Sequence, residues 1–336
     1  MLKLILFMIA SWSLSTQAAI ILQYHHVSTS TPRSTSVTPA EFRSHLQYLK
    51  DHQYQVIGLD QLIAQMSSGQ EPAANAVVIT FDDGYDNIYL QAHPILQKFD
   101  FPYTVFLSPA LIDRHEGPVM SWQQIKQLQD DGVIIANHSS YHDHLAKPQA
   151  NESQADWLKR VKADIELAQQ QLEQQLGIKH KWLAYPYGEF SETLEQLVSQ
   201  SGYIGIGQQS GAVGLASSMT RLPRYPSSGQ YAALKHFAPK LKTLAMPVKK
   251  ALAADPVKGP NPPTLSLQLD LTDLNPKQLN CFSNGEPIEV TWLSADSFAA
   301  KAKAPLRSSH KRYNCTAPSL SQKGYFYWYS QPWVLD

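Results

Sequence analysis

The 336-residue sequence has little of several features that mark common classes of protein. Lysine and arginine together number 28, as do aspartate and glutamate, so no excess of positive charge points to nucleic acid and no acidic run suggests a solvating tail. No apolar run is long enough to cross a bilayer. We therefore expect neither a nucleic-acid partner nor a transmembrane segment.

The first residues have the pattern of a removable export signal. Lys3 supplies a positive charge, residues 4–14 are mostly apolar, and Thr16-Gln17-Ala18 places small residues at the cleavage positions. The alternative is a membrane anchor, for which the apolar run is too short. We expect residues 1–18 to be removed and the mature protein to reside in the periplasm or outside the cell.

Cysteine is scarce, and both cysteines lie in the last quarter of the chain. Cys281 and Cys315 form an even pair within one region, which in an exported protein favours a disulfide. Two buried free thiols are the alternative. The export pattern favours the bridge.

Residues 19–245 alternate short β-rich runs with helical segments. The predicted strands are Ile20–Tyr24, Tyr54–Ile57, Ala76–Phe81, Tyr103–Leu107, Val133–Asn137, Trp182–Tyr185 and Tyr203–Gly207. Thr38 and Glu41 predict a capped helix start, and Gly177 predicts the end of a helix that begins near Glu152. This alternation predicts an α/β domain with a parallel sheet, open or closed into a barrel, whose chemistry lies after the strand ends.

The periodicity changes after a proline-rich stretch over residues 246–263, which we interpret as a linker. Residues 264–336 contain alternating runs such as Leu265–Leu271 and an aromatic run over Tyr325–Tyr329. These features predict a small antiparallel β-sandwich stapled by the disulfide. Its aromatic residues would either stack on sugar rings or fill the core.

Two adjacent carboxylates follow the strand that ends at Phe81. Asp82 and Asp83 at a strand end are costly unless a cation neutralises them, and Gly84 permits a sharp turn of the backbone. A polar turn is the alternative for such a triplet taken alone.

A dense group of imidazoles follows the strand that ends at Asn137. His138 and His142 stand four residues apart, so one turn beyond the strand can aim both at one point. With one carboxylate they would form a metal site with open positions for water and substrate. His144 and Asp143 are expected to be solvated or to support the metal ligands.

A third polar cluster, Ala184-Tyr185-Pro186-Tyr187-Gly188, also stands at a strand end. Taken alone it would be a turn with core aromatic residues. The order and chemistry of the three clusters are far more specific than any one of them.

Two of these clusters resemble the first two motifs of the polysaccharide deacetylases, carbohydrate esterase family four. The matching segments are Thr80-Phe81-Asp82-Asp83-Gly84 and His138-Ser139-Ser140-Tyr141-His142. The resemblance covers roughly residues 20–244 and implies a distorted (β/α)7-type barrel, the NodB-homology domain. It implies that Asp82 is the general base, that Asp83, His138 and His142 bind a divalent metal, and that the Tyr187 backbone N–H is an oxyanion donor.

The segments Leu22-Gln23-Tyr24-His25 and Ala184–Gly188 are more similar to the branch that acts on poly-β-1,6-N-acetylglucosamine. One departure is Ala184, where the family usually has the arginine that orients the base. Arg221 and Arg224 are possible replacements.

The general acid is expected to be a histidine. His236 matches a fifth motif only weakly. His25 ends the first strand and would face the same barrel mouth as Asp82, so we predict that His25 is the general acid. A buried, hydrogen-bonded histidine that supports the site is the alternative.

The expected reaction is therefore metal-dependent hydrolysis of N-acetyl groups on a cell-wall or exopolysaccharide of N-acetylglucosamine type, releasing acetate. Zn²⁺ is the simplest metal, with Co²⁺, Ni²⁺ or Fe²⁺ as alternatives. Two other functions remain open. One is an esterase for O-acetylated polysaccharide, and the other is a sugar-binding protein with weakened turnover.

Overall fold

A computed structural model of the protein describes residues 17–307 and 311–335. The predicted export signal over residues 1–18 lies almost entirely outside these ranges. None of the helices in the described part of the chain has the length and apolar character that a membrane span requires.

In the part of the chain that the structure describes, the first domain contains ten strands and eight α-helices. The strands are β1 (Ile20–Tyr24), β2 (His26–Val27), β3 (Ser36–Val37), β4 (Gln55–Val56), β5 (Ala76–Phe81), β6 (Thr104–Leu107), β7 (Ile134–Asn137), β8 (Trp182–Ala184), β9 (Ile204–Ile206) and β10 (Tyr225–Pro226). The helices are α1 (Pro39–Asp51), α2 (Leu59–Ser67), α3 (His93–Phe99), α4 (Pro109–Asp113), α5 (Trp122–Asp130), α6 (Gln154–Leu176), α7 (Glu192–Gln200) and α8 (Leu234–Phe237).

Seven of these strands form one parallel path in the order β10-β1-β5-β6-β7-β8-β9. β4 pairs with the start of β5, and β2 and β3 form a separate pair. Leu222 makes a parallel bridge to Ile206 in β9, and three residues later β10 pairs with β1. The path therefore returns to its first strand, which confirms the predicted distorted barrel.

Local sequence accounts for the helix ends. The Thr38 hydroxyl accepts from the Glu41 N–H while the Glu41 carboxylate accepts from the Thr38 N–H, which confirms the predicted capping box at α1. Gly177 adopts φ 70° at the end of α6, as predicted. β5 is buried at all six positions because helices cover the sheet, which explains its continuous apolar run.

Within the described residues, the second domain contains eight strands. They are β11 (Thr243–Ala245), β12 (Val248–Ala253), β13 (Thr264–Leu269), β14 (Asn280–Ser283), β15 (Glu286–Trp292), β16 (Ser297–Lys301), β17 (Arg312–Pro318) and β18 (Phe326–Pro332). They are hydrogen-bonded in the order β11-β18-β17-β14-β15-β16-β13-β12, antiparallel except for the parallel pair β11–β18.

This sheet folds over on itself at β15, whose first half pairs with β14 and whose second half pairs with β16. One core cluster joins Leu267 and Phe298 on one side to Cys315 and Tyr327 on the other. The Tyr313 hydroxyl also bonds Pro263 O across the fold. The predicted antiparallel second domain is thus present, with two halves packed face to face.

The predicted disulfide is confirmed. Cys281 and Cys315 lie opposite each other on β14 and β17 and are bonded.

The prediction of a linker over residues 246–263 is wrong for Val248–Ala253, which forms the edge strand β12 paired with β13. Pro247 and Pro256 flank this strand rather than interrupt it, and the exposed Lys249 and Lys250 conceal its apolar alternation. Prolines and lysines are common at sheet edges because only one side of such a strand is paired. The second sheet begins still earlier, at β11.

Candidate active site

Three strand ends deliver the predicted site residues to one edge of the barrel. Asp82 and Asp83 follow β5, His138 follows β7, and Tyr187 lies three residues after β8. Because β5, β6, β7 and β8 are neighbouring parallel strands, their carboxyl ends lie at the same mouth. The structure brings these clusters together as expected.

Asp83, His138 and His142 converge on one point. Nε2 of each histidine lies 3.3 Å from Oδ1 of Asp83, and the three potential ligand atoms all lie within 4.8 Å of one another. Asp83 Oδ1 and His138 Nε2 are buried and make no hydrogen bond within the described residues. Buried polar atoms without partners are rare, so their convergence fits a site for a cation.

The environment of His138 suits a metal ligand. Its Nδ1 lies 2.7 Å from the carbonyl oxygen of Ala184, to which it can donate. A neutral imidazole that donates from Nδ1 carries its lone pair on Nε2, which faces Asp83. Burial would raise the pKa of Asp83, but its contacts with His138 and His142 hold that pKa well below its ordinary value.

The backbone at this cluster adopts unusual conformations. Four residues of the cluster have φ between 56° and 71°, the left-handed region that residues other than glycine rarely adopt. They are Asp83, Ser139, His142 and Tyr187. Such strain persists where surrounding contacts require it and is concentrated at functional sites. Gly84 follows with φ 69°, and a Cβ there would lie 2.5 Å from Leu107 Cδ2, so both the conformation and the space require glycine.

Asp164 of α6 holds the loop that carries the histidines. Its Oδ1 accepts from the backbone N–H groups of Ser140 at 3.0 Å and Tyr141 at 3.1 Å. Burial raises the pKa of Asp164 despite these bonds. Sequence reasoning missed this residue, although an acid within the buried stripe of α6, beside Val161 and Ile165, was a signal that could have found it.

Asp82 is fully buried, and it accepts hydrogen bonds from Arg224, which lies 142 residues later in the sequence. Arg224 donates from Nη1 to Oδ1 at 2.7 Å and from Nη2 to Oδ2 at 2.8 Å. Gln23 also donates to Oδ2, at 2.7 Å. Burial would raise the pKa of Asp82, but the positive charge of Arg224, with His138 and His25, holds it below its ordinary value. Asp82 is therefore an ionised, oriented carboxylate.

The two predicted replacement arginines have different positions. Arg224 is itself fully buried and also donates from Nε to the Gly207 carbonyl. Arg221 instead lies 3.4 Å from Glu195 and packs over the Phe190 ring. Only Arg224 reaches Asp82. Gln23 was missed because one polar residue inside the apolar strand β1 is a weak signal.

The structure also distinguishes between the two candidate general acids, His25 and His236. His25 Nε2 lies 3.9 Å from Asp82 Oδ2, and its side chain is partly exposed at the mouth. His236 is exposed on the short helix α8, and no described contact links it to Asp82 or Asp83. The geometry therefore favours His25.

Tyr187 lies against the metal-site loop. Its half-exposed ring meets the His142 ring edge-on, with centroids 4.7 Å apart, and stacks on His144 at 4.0 Å. His144 is fixed by Glu189, 2.7 Å away. Gly188 makes this turn possible, because a Cβ there would lie 2.4 Å from Gln208. His144 thus supports Tyr187 rather than joining the ligand cluster.

This chain is similar in sequence to known polysaccharide deacetylases. The family model described as polysaccharide deacetylase matches residues 69–206. The poly-beta-1,6-N-acetyl-D-glucosamine N-deacetylase of Staphylococcus epidermidis is 29% identical over 228 residues, covering 62% of this chain and 78% of that protein. The protein of the same name from Escherichia coli K12 is 22% identical over 263 residues, covering 67% of this chain and 38% of that protein.

Solved structures share the fold. The deacetylase PplD of Streptococcus pyogenes, in complex with acetate, aligns with a TM-score of 0.60 and 22% identity, covering 68% of this chain and 99% of that one. IcaB from Ammonifex degensii aligns with a TM-score of 0.59 and 21% identity, covering 67% and 97% respectively.

Proposed function

We propose that this chain, whose residues 69–206 match the polysaccharide deacetylase family model, is an exported, metal-dependent enzyme that removes N-acetyl groups from a polysaccharide of N-acetylglucosamine type. The observation that carries the proposal is the pairing of a convergent Asp83–His138–His142 donor set with an ionised Asp82 beside it. The relatives named as poly-beta-1,6-N-acetyl-D-glucosamine deacetylases support β-1,6-linked N-acetylglucosamine as the substrate.

Asp83, His138 and His142 would hold the metal through Oδ1 and the two Nε2 atoms. Two imidazoles and one carboxylate suit Zn²⁺ and leave positions for water and substrate. When bound, such an ion supplies Lewis-acid activation of water and of the acetyl carbonyl. The Ala184 carbonyl and Asp164 orient this donor set from behind.

Asp82 would act as the general base. Its carboxylate accepts a proton from water as that water attacks the acetamide carbonyl carbon. Arg224 and Gln23 hold the carboxylate in place and keep it ionised, so that it can act as a base at neutral pH. This role gives Arg224 the function of the arginine that the family usually has at the position of Ala184.

The remaining groups would handle the oxyanion and the leaving group. The Tyr187 N–H would donate to the carbonyl oxygen as negative charge develops there. His25, at the mouth beside Asp82, would protonate the departing amine. The products are acetate and a free amino sugar.

Acetate release tests the proposal and separates it from the alternatives. Purified protein is assayed on β-1,6-linked N-acetylglucosamine oligomers and on O-acetylated xylan, before and after chelation and after Zn²⁺ is restored. We expect release from the N-acetylated oligomers that chelator abolishes and Zn²⁺ restores. Release from xylan alone would make the protein an O-acetyl esterase, and sugar binding with no release would make it a binding protein.

Variants test the donor set and the base separately. His138→Ala and His142→Ala should lose both bound metal and activity, whereas His144→Ala, a histidine of the same loop outside the cluster, should keep its metal. Asp82→Asn should keep its metal and lose about 10²–10⁴-fold in kcat. Full metal occupancy in both ligand variants, measured by elemental analysis, would contradict the assignment.

A further inference from the structure

A long groove follows the seam between the barrel and the second domain. One cavity of about 680 Å³ begins at Tyr187 and is lined on the far side by Arg312 and Trp333. A second cavity of about 440 Å³ continues from it to Phe326. The two cavities share Pro226, Tyr231, Arg312 and Asn314 in their walls. We refer to the two together as the seam groove.

The barrel wall of the seam groove belongs to the catalytic face. Tyr187 follows β8, Gln208 follows β9 and Tyr231 follows β10, so all three stand beyond the carboxyl ends of parallel strands. These ends form the mouth at which Asp82 and His138 lie. Because Tyr187 lines the groove and its ring contacts that of His142, the seam groove begins beside the proposed metal site.

Contacts between the two domains hold the second wall in place. β11 leaves the barrel and pairs with β18 of the second sheet. The rings of Tyr225 and Trp328 meet edge-on with centroids 6.2 Å apart. The Glu192 N–H also donates to Asp255. A groove whose walls are fixed in this way is largely formed before any ligand binds.

The lining of the groove suits a chain of sugar units. Tyr231 and Phe326 are large aromatic side chains left 40% and 46% exposed. Gln208, Gln230 and Asn314 supply amide groups that can hydrogen-bond hydroxyls. Apolar faces with a few placed polar groups are typical of ligand sites. Within the aromatic run of the second domain, Tyr327 belongs to the core, whereas Phe326 is exposed and available to stack on a sugar ring.

The far cavity of the seam groove, which reaches Phe326, carries charge of one sign, whereas the near cavity is also lined by Glu189, which pairs with His144. Arg312 is half-buried between the two cavities, and its side chain makes no ion pair or hydrogen bond within residues 17–307 and 311–335. Burial lowers its pKa from the ordinary value, which marks a cation held out of water. The far cavity is also lined by Lys235, His236 and Lys240, and no described carboxylate lines it.

We propose that the seam groove binds the polysaccharide beyond the reacting sugar, and that Arg312 makes it prefer units that still carry their acetyl groups. This inference rests on the proposed function. An N-acetylated unit is neutral and its carbonyl oxygen can accept from a guanidinium, whereas a deacetylated unit carries an ammonium that Arg312 repels. The second domain is then part of the substrate site, and the enzyme discriminates against its own product.

Binding to an inactive protein tests the groove without relying on turnover. In the Asp82→Asn background, the dissociation constant of a fully acetylated β-1,6 pentasaccharide is compared with that of the disaccharide. We expect the pentasaccharide to bind more tightly, and Tyr231→Ala or Phe326→Ala to weaken pentasaccharide binding by about tenfold. Leu293→Ala is the control and should not change pentasaccharide binding, because Leu293 is a 60% exposed side chain of the second domain that lies outside the groove. Unchanged pentasaccharide binding in both groove variants would overturn the proposal.

A matched pair of ligands tests the charge. A pentasaccharide with one free amine, placed away from the reacting unit, is compared with the fully acetylated form at mildly acidic pH. The unaltered groove should favour the acetylated form, and Arg312→Gln should reduce that preference several-fold. An unchanged preference in Arg312→Gln would refute the role of Arg312. If no acetate is released but these binding differences persist, the proposed function is wrong and the assignment of the groove as a binding site stands. If acetate is released and the groove variants have no effect on binding, the groove assignment is wrong.

Discussion

Replacement of Arg224 by lysine tests how the barrel controls its base. The native guanidinium donates two hydrogen bonds to Asp82, one to the Gly207 carbonyl and one to the Thr80 hydroxyl, and the side chains of Arg224 and Asp82 are fully buried. A lysine keeps one positive charge but cannot form the paired contact. In this variant Asp82 is still buried, which raises its pKa. It loses most of the attraction to the positive charge at position 224, which lowers its pKa in the native protein.

The expected size of the effect follows from this burial. In the native protein the lowered pKa of Asp82 means that the pair stabilises the fold above the ordinary carboxyl pKa, and that this stability is lost as pH falls through the lowered value. Weakening the pair should raise the pKa of Asp82, because the burial that remains raises the pKa of a carboxyl group. Removing one partner of such a pair outright costs about 3–5 kcal/mol, so Arg224→Lys should cost less than that.

The assay is the pH profile of kcat/KM on an N-acetylated oligomer, measured with the melting temperature and metal content of each variant. The acid limb should move to higher pH in Arg224→Lys, with about a tenfold loss of rate per unit below the new pKa. Arg221→Lys is the matched control, because Arg221 pairs with Glu195 and does not touch Asp82. Equal acid limbs in the two metal-loaded, folded variants would refute the reasoning.

Three other predictions follow from the site and the second domain. His25→Ala should lose far more kcat than His236→Ala and alter the alkaline limb, with metal retained in both, and the reverse ranking would move the acid role to His236. Asp164→Asn should lower metal affinity by about 10–100-fold, because it loosens the loop that carries the ligands, and a metal titration with unchanged affinity would contradict this. Serine at both Cys281 and Cys315 should cost about 4 kcal/mol of unfolding free energy, for a bridge spanning 34 residues, and unchanged denaturation midpoints with and without reductant would count against it.

The sequence alone determined the features that depend on neighbouring residues. The capping box at Thr38 and the left-handed Gly177 use hydrogen bonds within a few residues, so local chemistry specifies them. The ligand set was visible for a related reason. Asp83 follows a buried strand directly, and His138 and His142 are one turn apart. Residue type and spacing at strand ends indicated His138 and His142 with one carboxylate, and the resemblance to the polysaccharide deacetylases assigned that carboxylate to Asp83.

Only the tertiary structure decided which distant groups complete the site. Arg224 meets Asp82 across 142 residues of sequence, and nothing local distinguishes it from Arg221 three residues away. The parallel bridge of Leu222 to β9 and the pairing of β10 with β1 bring Arg224 inside the barrel. Arg221, on the same short segment, pairs with Glu195 instead.

The seam between the domains was equally hidden from the sequence. The proline-rich stretch suggested a spacer, yet β12 within it pairs with β13, and β11 before it already belongs to the second sheet. A proline shows where a strand cannot continue its hydrogen-bond pairing. It does not show which other strand pairs with the residues between two prolines. The groove beside Arg312 exists because two sheets far apart in sequence are held against each other, and such packing depends on shape in three dimensions rather than on any local pattern.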